Sequence, residues 1–214
     1  EDKTIMVFYA FGRLNYLNYY YEGEKRDWTA LGDDFHEVLL ELLRRNKDRL
    51  QIVYKIGGKP ARDSYPLFDK FAAEARLIAG EEALVVLDGS YSTLDLLRVS
   101  NLVVGFQTFA LIEAMFTKQP IFYGAWGGLF SDIKETLLPL HRSQGLTFLD
   151  SKDALLTACD QFIQAPSQWI LGRDAENARK ETTQKWLYKP DGRSSERLMD
   201  VIEDVAVEYW GNHR

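Results

Sequence analysis

With 214 residues, 46% of them hydrophobic and 27% charged, the chain is long enough to bury a full core and too apolar to be disordered. Its 26 basic and 32 acidic residues give a formal net charge of -6, which excludes broad nonspecific nucleic-acid binding but leaves room for a local basic pocket around one phosphate. The single cysteine, Cys159, excludes a disulfide framework and zinc spacing, and no segment has the roughly 18 consecutive apolar residues of a spanning helix or the start of a secretory signal.

The chain starts at Glu1 without a methionine and runs directly into a strand, which suggests a domain cut from a longer polypeptide. Thr4 to Ala10 is an apolar run too short for a helix and rich in strand formers, hence the first strand. Leu14 to Asp27, crowded with Tyr16, Tyr19, Tyr20 and Tyr21, has no clean period and reads as a long loop. Asp27 or Thr29 caps the next helix, which runs to about Asn46 with Leu31, Phe35, Val38, Leu39 and Leu42 on one face and the rest of the surface, His36 included, exposed. Gln51 to Ile56 is the second strand, followed by a helix from about Ser64 to Ala79; Ala83 to Leu87 is the third strand, and Thr93 to Val99 a short helix. Leu102 to Val104, Gly105 to Thr108 and Phe109 to Met115 form a strand, a tight turn and a helix, leading to the fifth strand at Ile121 to Tyr123. Ala125 to Phe130 reads as a glycine-containing loop, Asp132 to Leu138 as a short helix ended by Pro139, Leu146 to Leu149 as a sixth strand, and Ser151 as the start of a helix to about Gln164. In the tail, Arg179 to Leu187 and Ser194 to Trp210 read as helices, the second with Leu198, Val201, Ile202, Val205 and Tyr209 inward.

Strands alternating with helices predict α/β architecture: a Rossmann-like parallel sheet of about six strands, helices on both faces and a two-helix C-terminal tail. Residues 1–172 make up the sheet domain and residues 173–214 the tail.

In such a sheet ligands meet the loops that leave the carboxyl ends of strands. These loops carry Gly12-Arg13, Lys55 with Gly57-Gly58-Lys59, Asp88-Gly89-Ser90-Tyr91-Ser92, Gly105-Phe106-Gln107-Thr108 and Trp126-Gly127-Gly128. Glycine lets a backbone approach a ligand closely and Arg or Lys neutralises phosphate, so a phosphorylated ligand fits; each glycine taken alone also fits a plain turn, and each cation a surface charge. Glu113 stands on an otherwise apolar helix, where a carboxylate either accepts hydrogen bonds from a ribose diol or reaches solvent along the helix edge. His36, His141 and His213 have no metal-ligand spacing, so no metal is expected. Gly-x-Ser-x-Gly, the P-loop and a Gly-x-Gly-x-x-Gly after the first strand are missing, which disfavours serine hydrolases, P-loop enzymes and dehydrogenases.

The run Ser100 to Met115, followed by Lys118-Gln119-Pro120-Ile121, resembles the nucleotide-sugar-binding segment of GT-B-fold glycosyltransferases: a Ser/Thr turn, a helix carrying a Glu-Ala pair, and a Gly-Lys-Pro-like step into a strand. Lys189-Pro190-Asp191-Gly192-Arg193-Ser194-Ser195-Glu196-Arg197 is similar to the tail of bacterial surface-polysaccharide transferases, including relatives of glycerophosphotransferases and capsule-type Kdo transferases. This resemblance implies that the carboxyl-terminal half of such an enzyme binds its donor here. Backbone N–H groups of Gln107, Thr108 and Phe109, in the turn begun by Phe106, face the donor phosphates, and Glu113 meets the ribose. Arg13, beside Gly12, neutralises a phosphate, as does Lys55, with Gly58 in the same loop; Ser90, Tyr91 and Ser92 flank the base. Gly105 stands where many retaining members carry a second Glu, and Lys55-Ile56-Gly57-Gly58-Lys59-Pro60 has no His where glycerophosphotransferase-like members have one.

The resemblance further implies a nucleotide-sugar as substrate, no cofactor, a glycan or lipid-linked acceptor, and a preceding acceptor domain in the same polypeptide that supplies the catalytic base. The tail helices then pack on the sheet domain or on that acceptor domain, and the tyrosine-rich loop faces the cleft or packs on its own rings. The expected role is donor binding in capsule or lipopolysaccharide synthesis, in the cytoplasm and peripheral at the inner membrane face. A nucleotide-sugar 2-epimerase of the same fold and a non-catalytic α/β interaction module are the alternatives.

Overall fold

The computed structural model describes residues 3–11, 19–21, 24–26, 28–56, 68–187, 189 and 191–211. Among these residues the strands are β1 (Thr4–Tyr9), β2 (Tyr19–Tyr21), β3 (Glu24–Arg26), β4 (Leu50–Lys55), β5 (Leu84–Leu87), β6 (Leu102–Gly105), β7 (Ile121–Gly124) and β8 (Thr147–Leu149). The helices are α1 (Thr29–Asn46), α2 (Phe68–Ala79), α3 (Thr93–Val99), α4 (Phe109–Ala114), α5 (Gly128–Ile133), α6 (Lys152–Gln164), α7 (Arg173–Leu187) and α8 (Ser194–Gly211).

Six strands form one sheet in the order β5-β4-β1-β6-β7-β8, all parallel. Counted along the chain this is 3-2-1-4-5-6, the doubly wound order of nucleotide-binding sheets. The strands read as unbroken apolar runs because helices cover both faces: α1 packs against α2 and α6 on one side, and α3 against α4 and α4 against α7 on the other. The central strands are the most covered, β6 and β7 being buried at every position, while the edge strands β5 and β8 are partly exposed.

The structure departs from several expectations of the sequence. Within the stretch read as a long loop, β2 and β3 pair as an antiparallel hairpin, Tyr19 opposite Arg26 and Tyr21 opposite Glu24; its polar strands lack the alternation that announces a half-buried ribbon. His36 is buried, donating to or accepting from the Tyr54 hydroxyl at 2.8 Å and stacked on Phe71. The cause is that α1 lies under both α2 and α6, so its inward face is far wider than one apolar stripe. The glycine loop after β7 is shorter than expected: Gly127, at φ 89°, turns the chain directly into α5, and residues Lys134–Thr136 and Pro139–Arg142 follow as 3-10 turns. The first tail helix starts earlier, at Arg173. In α8, Leu198, Val201, Ile202, Val205 and Tyr209 are exposed rather than inward.

A cation missed by the sequence reading fastens α7 to the sheet. Arg179 is buried, and its guanidinium donates to the carbonyls of Gly145 at 2.7 Å, Thr117 at 2.7 Å and Gln119 at 2.9 Å. Three planar N–H directions thus satisfy the carbonyls of two separate connections, those leading into β7 and β8. Gly145 leaves the space for it, since a Cβ there would stand 2.8 Å from Arg179 Cγ. Burial lowers the Arg179 pKa to about 10, opposed by the charge of Glu176, so it stays a cation at neutral pH.

Candidate functional site at the strand switch

The strand order reverses between β1 and β6: the chain winds outward from β1 through β4 to β5, then returns to β6 and winds the other way. Such a switch opens a crevice beyond the carboxyl ends of the two central strands. Tyr9 ends β1 and lies opposite Lys55 of β4 on one side and Gly105 of β6 on the other. Because Phe8 and Tyr54 turn their rings toward Phe35 and the α1 face, their neighbours Tyr9 and Lys55 point to the opposite face, that of α3 and α4.

On that face α3 packs against both β1 and α4. The contact brings Thr93, the first residue of α3, beside Glu113 of α4 and beside Tyr9. Glu113 is half-buried; desolvation raises its pKa above the ordinary carboxylate value, and interaction with Thr93 opposes the rise. Burial and the nearby Glu113 charge also raise the Tyr9 phenol pKa. The Tyr9 hydroxyl is buried and near Thr93, yet it is not aligned with any acceptor or donor among the described residues for a hydrogen bond. Neither Tyr9 nor Thr93 carries a motif signal; only the register of β1 and the α3–α4 contact single them out.

Lys55 is also buried, and its ammonium donates to the backbone carbonyl of Asp88 in the loop after β5. Desolvation lowers its pKa, and the Asp88 charge acts against that. The Asp88 carboxylate in turn accepts from the N–H and hydroxyl of Ser90, which sets the turn leading to exposed Ser90, Tyr91 and Ser92. Thr108 is the N-cap of α4: its hydroxyl oxygen accepts from the Ala110 N–H at 3.3 Å. Phe109 is exposed one helical turn before Glu113, so both face the same side of α4.

Lys55, Ser90, Tyr91, Ser92, Thr108, Phe109 and Glu113 therefore gather along the carboxyl edge of the sheet on the loops and helix starts that follow β4, β5 and β6. Phe106 and Gln107 have different side-chain roles. Phe106 is a core ring packed against Phe11 and Trp28 and stacked on Tyr123. Gln107, with left-handed φ 43°, is buried; its amide donates to the Tyr123 hydroxyl at 2.7 Å and the Leu138 carbonyl at 3.0 Å, and its oxygen accepts from the Leu138 N–H at 2.9 Å. These two residues are left with only their main chain to offer a ligand. Gly12, Arg13 and Gly58 lie outside the described residues.

A groove of about 600 Å³ lies elsewhere, between α1, α2 and α6. Ion pairs cross it, Arg44 pairing with Glu74 at 2.7 Å and Lys152 with Glu37. No group of side chains suited to hold a metal occurs among the described residues, and no helix there is long and apolar enough to cross a membrane.

No protein-family model and no curated protein matches the sequence. Solved structures do match. Anabaena HepE in complex with UDP and glucose superposes with a TM-score of 0.55 at 13% identity, over 93% of this chain and 49% of HepE. Sucrose-phosphate synthase from Thermosynechococcus elongatus gives 0.53 at 16% identity, over 94% of this chain and 46% of the synthase. A putative UDP-N-acetylglucosamine 2-epimerase from Listeria monocytogenes gives 0.50 at 13% identity, over 84% of this chain and 39% of that protein. The chain thus spans less than half the length of each. At these identities the likeness is one of fold, and it agrees with the Rossmann-like α/β domain expected from the GT-B resemblance.

Proposed function

We propose that this chain is the donor-binding domain of a nucleotide-sugar glycosyltransferase. The observation that carries the reading is the half-buried Glu113 on the helix that opens at the strand switch, its carboxyl pushed up by desolvation on an otherwise apolar stretch of α4. A carboxylate placed so gains most from a ligand that donates two hydrogen bonds from adjacent hydroxyls, as a ribose does. The fold's likeness to HepE bound to UDP and glucose supports the same class of ligand. Main-chain N–H groups of Gln107, Thr108 and Phe109 take the phosphates, Lys55 exchanges the Asp88 carbonyl for a phosphate oxygen, and Ser90 to Ser92 flank the base. Arg13, with Gly12, and Gly58 complete the phosphate side. The acceptor, a glycan or lipid-linked saccharide of a bacterial surface polysaccharide, meets the donor from a second α/β domain, and the exposed apolar face of α8 lies against that domain. The enzyme works in the cytoplasm at the inner membrane face.

The test is a calorimetric and thermal-shift screen of UDP, CMP, CDP and GDP. A ligand at 100 times its dissociation constant stabilises the folded state by about 2.7 kcal/mol. Glu113→Ala should weaken the nucleotide that binds about tenfold or more, as expected for two lost hydrogen bonds to a charged group. If none binds at millimolar concentration and Glu113→Ala changes nothing, the reading is wrong. Release of an altered sugar from a nucleotide-sugar without any acceptor would assign the chain to epimerase chemistry instead.

A further inference from the structure

We propose that Gln107 is a positioning residue: the connection between α5 and β8 grips its side-chain amide and thereby holds the turn between β6 and α4 in the conformation that receives the donor's diphosphate. The inference rests on the nucleotide-sugar reading and names what sets the geometry of its phosphate contact.

The backbone of Gln107 needs holding. Its φ of 43° is, among the described residues, the one left-handed value outside glycine. Glutamine has neither the missing Cβ of glycine nor the short side chain that lets asparagine and aspartate settle there. The residue is also a joint. Gly105 before it is paired with Tyr9 and Tyr123 in the sheet, and Thr108 after it caps α4. A return to negative φ swings one side of this joint relative to the other. Because α4 packs against β6, β7, α3 and α7, the body of the helix stays in place and the turn is what changes.

The side chain supplies the hold. Gln107 is 4% exposed; its Nε2 donates to the Tyr123 hydroxyl at 2.7 Å and to the Leu138 carbonyl at 3.0 Å, and its Oε1 accepts from the Leu138 N–H at 2.9 Å. Since Leu138 offers one main-chain donor and one acceptor, the amide fits in a single orientation and both of its hydrogens are used. The anchors are themselves fixed. Tyr123 is fully buried with its ring stacked on Phe106, and the Leu138 carbonyl also accepts from the Leu140 N–H at 2.7 Å, at the start of the Pro139–Arg142 turn. Strain sets the size of the effect: freed of the clamp, a glutamine is left-handed about one time in ten or less. Apparent affinity falls by the same factor, because a ligand must first recover the competent state.

The informative variant is Leu138→Pro, 31 residues from Gln107. The φ of -55° at Leu138 and the extended Leu137 before it already suit proline, which puts a ring carbon where Oε1 met the N–H. Gln107→Met opens the clamp from the other side at similar volume, and Gln107→Asn, too short to reach Leu138 but tolerant of positive φ, is the rescue. In ligand-free protein, the NMR coupling between the amide and α protons of residue 107 should leave its left-handed value in Leu138→Pro and Gln107→Met and keep it in Gln107→Asn. In calorimetry, the first two should weaken UDP about tenfold and Gln107→Asn less than about threefold, with uridine, which has no phosphate, within about twofold throughout. An unmoved coupling in both Leu138→Pro and Gln107→Met overturns the proposal. So does an equal loss for UDP and uridine, or a Gln107→Asn protein that binds UDP no better than Gln107→Met. If Leu138→Pro does not fold, Gln107→Met against Gln107→Asn decides the question. If the coupling moves while the wild type binds neither ligand, the hold of the connection on the turn is upheld and the nucleotide-sugar reading alone falls.

Discussion

Replacing Arg179 with methionine isolates the polar contribution of the α7 anchor, since methionine keeps much of the aliphatic volume and removes every donor. Three carbonyls, of Gly145, Thr117 and Gln119, then lose a charged partner at 2.7, 2.7 and 2.9 Å. Hydrogen bonds to charged groups contribute about 1.5–3 kcal/mol each, and buried acceptors left bare cost about 1–3 kcal/mol. The three share one donor group and are not additive, and a methionine no longer carries the desolvation cost of the cation, so the net loss is roughly 3 kcal/mol. That is a large part of the ~5–15 kcal/mol by which domains are stable, and it lowers Tm by roughly 6–12 °C for a chain of this size. Urea unfolding of wild type, Arg179→Met and Arg179→Lys gives the ordering: lysine, a point charge unable to span three acceptors, should retain about half of the loss. Lys180→Met, at the exposed neighbouring position, is the control and should change stability by less than about 0.5 kcal/mol. If Arg179→Met unfolds within 1 kcal/mol of the wild type, the three carbonyls are satisfied by water and the anchor is not what holds α7.

The remaining predictions concern other contacts of the same fold. Gly124→Ala places a Cβ 2.7 Å from Phe35 Cζ and 3.0 Å from Trp126 Cζ3, in a stacked ring pair, and should cost about 1–3 kcal/mol in urea unfolding. Gln107→Gly should be milder than Gln107→Ala: both lose the clamp on Leu138 and Tyr123, but glycine tolerates φ 43° where alanine costs about 1–2 kcal/mol, so the reverse order in denaturation midpoints would remove the strain argument. The His141 ring nitrogens are buried without partners among the described residues, and burial, reinforced by Arg142 and Lys134 against Glu135, lowers its pKa. The unfolded chain therefore takes up a proton near pH 6.5 that the folded chain refuses, so stability is full above that pH and falls as the pH drops below it. His141→Leu should flatten this acid-side slope in unfolding measured from pH 7.5 to 5; an identical slope in both proteins removes His141 from the account.

The six parallel strands were legible because each is a short apolar run closed by a turn, and burial of both faces makes such runs continuous. The helix starts at Thr93 and Phe109 and near Ser151 were legible as apolar periods following a strand and a turn, and in the structure Thr108 and Ser151 cap their helices. What escaped belongs to tertiary structure. His36 reads as a surface residue on a wheel drawn for one apolar stripe, whereas α1 is covered from two sides. Arg179 looks like one more charge on a polar helix, because its acceptors are main-chain carbonyls whose positions no local pattern records. Tyr9 belongs to a strand whose side-chain direction depends on pairing with β4 and β6, so its approach to Glu113 is invisible until the register is known. Gln107 was read for its backbone, and its side chain turned out to be a clamp on the β7–β8 connection.

The place of β1 at the centre of the sheet has a consequence for how the molecule is made. β1 leaves the ribosome before the other five strands of its sheet, yet it pairs on one side with β4 and on the other with β6, which comes much later in the chain. Until β6 arrives, the nascent half-sheet β5-β4-β1 exposes the bare edge of β1, with Met6, Val7 and Phe8 along it, and a free apolar edge of this kind is where a growing chain recruits chaperones or misassembles. The long sequence separation of this pairing raises the chain entropy that its closure must overcome. The seam it closes is the one beside Tyr9 and Gly105, so the crevice comes into being only once β6 has joined β1, and a shorter chain has nowhere to hold a ligand.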